Sequence, residues 1–327
     1  MYFISGDADR SVHVKSGTLF ALALAALIVV QPVAWRDTSP HRAGFVGRPG
    51  RRIQYLDWGG RGPTLVLLHG WNSNAHVFDD IAPKLTDRFH VVAVSLPGFG
   101  ESDAPGAGYV LNTAADAVVE ALDSLHIAHA SFAGHSFAGW ILSRLATRHP
   151  TRVDRMVYLD AAFDLRGSDS IVKRRPVQRP PMVGITSQAD VIAWLRRNFF
   201  GTWTPALEGE YRGRSADEEQ RAALLKGLTA DAEHGPEEWS RIQQPVLAIC
   251  ALATVSSEFP WLSTRDSGYA AARTFVATER RPFQHRECVR FQRTVPRANM
   301  LELAGHHYIF VVEQERVLRA MRLFLSQ

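Results

Sequence analysis

Past residue 50 the apolar positions fall into short runs separated by stretches of helical spacing. Residues 53–58 (IQYLDW) alternate apolar and polar, which predicts an edge strand, and a glycine-rich turn at 59–63 follows. Residues 64–68 (TLVLL) are continuously apolar, as in a strand buried on both faces. Val77, Ile81 and Leu85 then mark a helix, residues 91–94 a second buried strand, residues 114–125 a helix and residues 130–133 a third buried strand. A helix over 137–147 leads to a strand at 156–159. Strand and helix alternating in this way predict an α/β fold: a mostly parallel central sheet with helices on both faces.

Between residues 162 and 241 no buried-strand run occurs, and amphipathic segments such as 191–199 and 218–228 predict a helical insertion. The strand signal resumes at 245–250, a long helix-prone region follows, and a strand at 300–303 precedes a terminal helix over 314–325. The chain therefore divides into a leader (1–42), a first core segment (43–162), an inserted helical cap (163–240) and a second core segment (241–327). No repeat of fixed period is visible.

The leader is different in kind. Residues 19–30 are unbroken apolar, with Arg10, His13 and Lys15 before them and Gln31, Pro32 and Arg36 after, the layout of an export signal or a membrane anchor. Residues 17–35 approach the ~20 positions that cross a bilayer. The cleavage pattern near Ala34 is poorly formed, which favours an uncleaved anchor, and both readings place the protein outside the cytoplasm or on a membrane.

Composition narrows the function. Of 327 residues, 37 are basic and 33 acidic; the net charge of +4 is spread along the chain rather than gathered into a nucleic-acid groove. The densest basic run, Lys173-Arg174-Arg175 with Arg179, is broken by Pro176 and Pro180 and reads as a solvated loop. Two cysteines, Cys250 and Cys288, allow one bridge and no disulfide framework or zinc site; Cys250 within its apolar run reads as a buried thiol. Phosphate-loop, dinucleotide and metal-helix motifs are absent from the sequence, so neither cofactor nor metal is expected.

The chemistry gathers at strand ends. Gly134-His135-Ser136-Phe137-Ala138-Gly139 lies where a buried strand turns into a helix, a setting in which small neighbours let strand and helix approach around a strained serine. His69-Gly70-Trp71 ends an earlier buried strand at the same carboxyl edge of the sheet. The backbone N–H groups of Trp71 and Phe137 are the candidate oxyanion donors, and the Trp71 indole reads as pocket lining. Gly305-His306-His307 follows the last strand. His306 is the candidate general base, and an extended backbone would turn His307 the other way, as a surface or packing residue.

These motifs together resemble the α/β-hydrolase fold family. His69-Gly70-Trp71, Leu96-Pro97-Gly98-Phe99-Gly100-Glu101-Ser102, Gly134-His135-Ser136-Phe137-Ala138-Gly139 and Gly305-His306 occur in that family's order across residues 43–327. The resemblance implies a helical cap after the sixth strand and cofactor-free hydrolysis of an ester or related acyl bond through a Ser-His-acid triad. Serine at 136 sets the chain apart from branches that use aspartate there. Relatives usually carry the acid after the strand corresponding to 246–250, where this chain reads ALATVSSE without an aspartate. A variation within the family moves it to the end of the preceding strand, which makes Asp160 the expected acid, with Glu258 in reserve.

The expected protein is thus a serine hydrolase that forms an acyl-enzyme with a small or medium apolar substrate. Trp194, Phe199, Phe200, Trp203 and Tyr211 of the insertion are available to wall a pocket or to pack. The alternatives are a lyase or cofactor-free oxygenase on the same scaffold, and a degenerate member that binds a ligand without turnover.

Overall fold

The computed structural model describes residues 37–106, 108–163, 171, 173–200, 202–212, 222–224, 226–229 and 235–327. The apolar segment at 17–35, with the export or anchor reading attached to it, lies outside the described residues. Among those described, no helix is long and apolar enough to cross a membrane.

Eight strands form one sheet: β1 (Arg42–Val46), β2 (Ile53–Gly59), β3 (Thr64–Leu68), β4 (His90–Val94), β5 (Ala130–His135), β6 (Val153–Leu159), β7 (Val246–Leu252) and β8 (Ala298–Ala304). Their spatial order is β1-β2-β4-β3-β5-β6-β7-β8. The first two pairings, β1 with β2 and β2 with β4, are antiparallel, and β4 through β8 run parallel.

The continuous apolar runs are explained by what lies on either side. Val66, Leu68, Val92, Val94, Phe132, Tyr158 and Cys250 face one core with helices α1 (Leu111–Ser124) and α2 (Ala138–Arg148). Their neighbours Leu65, Leu67, Val91, Ala93, Val157, Leu159 and Ile249 face a second core with the helical turns at 75–85 and the C-terminal helix. Side chains alternate across a strand, so a strand covered on both faces must be apolar at every position.

β1 is the strand that the apolar pattern does not reveal. Three of its five residues are exposed, so as an edge strand it carries little apolar signature, and it lies within a compact unit that begins at Asp37.

Between β6 and β7 the described residues form no strand. They include α3 (Gln188–Leu195), extended by a wide helical turn at Arg196–Phe200, and α4 (Pro205–Arg212). After β7 come a one-turn helix at Val255–Glu258, then α5 (Tyr269–Phe275) and α6 (Arg281–Thr294), joined through a π-helical turn, and after β8 the terminal α7 (Gln314–Leu325).

Cys250 on β7 and Cys288 on α6 are joined by a disulfide, so Cys250 is a bridge half rather than a free buried thiol. The basic run at 173–179 is also more than a solvated loop. Arg175 is largely buried and binds Glu258, and the Arg179 guanidinium sits 4.5 Å from the centre of the Phe199 ring. A guanidinium loses less on leaving bulk water when a carboxylate or an aromatic face replaces the solvent.

Candidate active site

Ser136 stands between β5 and α2 with φ of 54°, a left-handed conformation that costs a side-chain-bearing residue free energy. Its N–H donates to the Leu159 carbonyl at 3.1 Å, tying the turn to the end of β6. The turn closes because the next helix begins with small residues. A Cβ on Gly139 would lie 2.3 Å from the Ala161 carbonyl oxygen, a contact no real side chain makes.

The structure does not bring His306 to Ser136. His307 occupies that place: its Nε2 is 2.7 Å from Ser136 Oγ and its Nδ1 is 2.5 Å from Asp160 Oδ2. The side chains of neighbouring residues leaving a strand diverge, and here Gly305 and the turn after β8 send the first imidazole inward. His306 is buried, accepts a hydrogen bond from the Tyr308 N–H through Nδ1 and meets Phe199 edge-on. Burial, reinforced by the nearby His307, pushes its pKa down to about 3, so it is neutral across the physiological range. The His307 side chain, by contrast, is 35% exposed, within reach of an incoming molecule.

Asp160 lies immediately after β6, also in a left-handed conformation at φ 45°, which aspartate tolerates better than most residues. Its Oδ1 accepts a hydrogen bond from the Ala251 N–H at 2.9 Å while Oδ2 faces His307, so both oxygens are occupied. Glu258 is not part of this group. It is clamped by Arg175 and Arg280; burial pushes its pKa up, but the two guanidinium charges outweigh that and hold it below the usual carboxylate range.

The oxyanion candidates lie beside the serine. A Cβ on Gly70 would come within 3.1 Å of the Ser136 Cβ, so the peptide joining Gly70 to Trp71 runs against the nucleophile. His69 fixes that peptide. Its Nε2 accepts from the Leu96 N–H at 2.9 Å, which leaves the proton on Nδ1 to donate to the Gly70 carbonyl at 2.8 Å. Phe137 opens α2, where the first N–H groups have no upstream helical carbonyl. Among the described residues neither the Trp71 nor the Phe137 N–H donates to a carbonyl, and the two side chains meet edge to face at 6.1 Å.

Two residues at the site escaped sequence reasoning. His307 is one, for the reason given above. The other is His135, fully buried, whose Nε2–H donates to the His307 carbonyl at 3.1 Å. Burial and then the charge of His307 hold its pKa well below the ordinary value, so it acts as a neutral brace for the loop that carries His307. A histidine directly before the serine was visible in the sequence, but nothing local signals a partner 172 residues away.

The aromatic residues of the insertion turn mainly inward. Tyr211 is buried, and Trp194, Phe199 and Trp203 pack on the core cluster beneath the sheet; the Phe200 side chain lies outside the described set. Trp203 also donates to Glu208 at 2.9 Å and carries Arg196 over its ring. Trp71, Phe99 and Phe137 stack edge to face beside Ser136, and Phe163 lies 6.3 Å from the His307 ring.

Known proteins resemble this chain over differing lengths. The family model for the alpha/beta hydrolase fold matches residues 63–203. A serine hydrolase-like protein of Homo sapiens is 33% identical over 157 residues, 46% of this chain and 77% of that one. A pimeloyl-[acyl-carrier protein] methyl ester esterase of Neisseria meningitidis is 44% identical over 100 residues, 30% of each chain. An uncharacterized protein of Mycobacterium tuberculosis is 34% identical over 126 residues, 38% of this chain, and the match spans 37% of that relative's length. Among solved structures, an E-2-(acetamidomethylene)succinate hydrolase superposes with a TM-score of 0.63 at 20% identity, covering 88% of this chain and 100% of that one.

Proposed function

Because the chain belongs to the α/β-hydrolase fold family, we propose that it is a serine hydrolase of ester or related acyl bonds, with Ser136, His307 and Asp160 as its triad. The observation that carries this reading is the unbroken hydrogen-bond chain from Ser136 Oγ through both nitrogens of His307 to Asp160. Esterase activity in the name of a relative 44% identical over 100 residues supports the same class of bond.

In this mechanism His307 Nε2 takes the Ser136 proton as Oγ attacks the acyl carbonyl carbon. The carbonyl electron pair moves to oxygen, and the Trp71 and Phe137 N–H groups donate to the oxyanion that forms. Asp160 keeps the Nδ1–H tautomer of His307 in place and stabilises the imidazolium. Collapse of the tetrahedral intermediate expels the alcohol, which leaves with the proton from His307, and the acyl group stays on Ser136. Water then gives a proton to His307 and attacks the acyl-enzyme; the acid departs and Ser136 recovers its proton.

Substrate selection falls to the insertion, read as a cap over 163–240, and to the aromatic group around Trp71, Phe99, Phe137 and Phe163. An apolar setting of this kind suits a small or medium acyl ester rather than a charged peptide. The apolar sequence at 17–35 supports an exported or membrane-anchored enzyme, and a disulfide between Cys250 and Cys288 is in keeping with an oxidising compartment.

A fluorophosphonate probe and a chromogenic short-chain ester test the assignment together. Ser136→Ala should lose labelling and turnover, and His307→Ala should lower turnover by roughly 10⁴-fold or more, whereas His306→Asn should keep a labelled serine. Cleavage at the parent rate by the Ser136→Ala protein would sink the proposal; loss in His306→Asn with retention in His307→Ala would reverse the choice of histidine.

A further inference from the structure

Away from the strand ends that carry Ser136, His307 and Asp160, two histidines and two aspartates converge from segments far apart in sequence. Asp37 and His41 precede β1, and His76 and Asp79 lie on the helical turn after β3. One ligand atom from each lies within 4.8 Å of every other. The His41 Nε2 stands 2.8 Å from Asp37 Oδ2 and 3.5 Å from Asp79 Oδ1, and the His76 Nδ1 stands 2.9 Å from Asp79 Oδ2 and 3.7 Å from Asp37 Oδ2. Four ligand atoms at ~2.0–2.1 Å from a tetrahedral zinc ion are separated by ~3.3 Å, the middle of this range.

The group satisfies itself by hydrogen bonding only in part: His76 Nδ1 and Asp79 Oδ2 are hydrogen-bonded at 2.9 Å and the Ser39 N–H donates to Asp37 Oδ1 at 3.0 Å. The His41 side chain is only 4% exposed, yet among the described residues neither of its ring nitrogens has a hydrogen-bond partner in suitable direction. Asp79, 7% exposed, likewise leaves Oδ1 without one. Polar atoms this deeply buried are costly to leave unmatched. His41 Nε2 lies close to Asp37 Oδ2 and Asp79 Oδ1 without being aimed along an N–H···O line, as expected when these atoms share a common centre.

We propose that Asp37, His41, His76 and Asp79 form a binding site for one divalent transition-metal ion of the zinc class. Two imidazoles and two carboxylates supply the borderline N and O donors that such ions take, and the two negative charges cancel the charge of the ion. Four protein ligands complete a tetrahedron and leave no position for a substrate, so the ion is structural. It clasps the segment entering edge strand β1 to the helical turn after β3. Around it, Trp58 packs edge-on against His41 and donates through Nε1 to Ser39 Oγ at 2.8 Å, closing one side of the site.

The test uses the untagged full-length chain, stripped with a chelator and titrated with Zn²⁺ by calorimetry and with Co²⁺ by visible absorption. The expected result is one ion per chain, Co²⁺ bands of tetrahedral intensity and a higher melting temperature in zinc. His76→Ala should weaken zinc binding by about a hundredfold or more, at or beyond the upper end of losses known for residues that only support a ligand. If that variant fails to fold, Asp37 remains: its side chain is partly at the surface, so Asp37→Asn should fold and bind zinc more weakly, and Asp37→His should bind while changing the Co²⁺ spectrum. Absence of zinc binding by the parent chain, or zinc binding unchanged in both His76→Ala and Asp37→Asn, would overturn the proposal.

Discussion

Adjacent histidines at 306 and 307 have opposite fates, and the difference is one of solvation. His307 keeps access to water and to both Ser136 and Asp160; His306 is enclosed and neutral. The enclosure has a consequence for acid stability. His306 titrates near 6.5 in the unfolded chain and near 3 when folded, so the unfolded chain binds the extra proton between those values. Stability linked to His306 is therefore complete above pH ~6.5 and is lost as the pH falls toward ~3, at about 1.4 kcal/mol per pH unit. His135 acts in the same direction. Urea unfolding of His306→Asn between pH 7 and 4 should show a dependence shallower by about that slope, and an unchanged dependence would count against a neutral buried His306.

Residues 305–307 show where sequence reasoning stops. The strand ends that carry Ser136 and Asp160 follow from the apolar runs, because each lies one step beyond a strand buried on both faces. The choice between two neighbouring imidazoles depends on how the chain turns after Gly305, which long-range packing against Phe199 and His135 decides. The four residues around the proposed metal were equally silent: they come as two unremarkable pairs, Asp37 with His41 and His76 with Asp79, and match no ligand motif.

At the scale of elements, buried strands were legible and exposed ones were not. β3, β4 and β7 announce themselves by unbroken apolar runs and β5 by one interrupted at Ser131, while β1, largely exposed, does not. Helix α2 depends on a close approach. Gly139→Ala would drive a methyl group into the Ala161 carbonyl next to Asp160, so it should destabilise the fold by about 1–3 kcal/mol and reduce turnover more than a remote overpacked site does. Thermal melts and ester kinetics on the same protein separate the two effects. The link between β7 and α6 is covalent, closing 38 residues, and chain-entropy reasoning assigns such a loop ~4 kcal/mol. Cys288→Ser should lose a comparable amount in chemical denaturation, and reductant should then have no further effect on its midpoint.

For the molecule as a whole, the two cores on opposite faces of the sheet explain why the architecture could be read before the site could. Burial patterns repeat along many residues and average over local exceptions, whereas a triad needs three particular side chains to meet. The insertion between β6 and β7 is the least legible part, since its amphipathic segments predict helices without saying which face meets the core.

The place of Asp160 just after β6 has a further implication for how the proposed enzyme can be tuned. From Asp160 the chain passes through Ala161, Ala162 and Phe163 directly into the inserted region, with Ala161 wedged against α2. Carboxylate and inserted region thus share one mechanical root, whereas a carboxylate beyond β7 would stand apart from it. Under the proposed mechanism, drift in the inserted region toward new substrates would pull first on the carboxylate bonded to the His307 imidazole, so selectivity and catalytic rate should prove hard to vary independently.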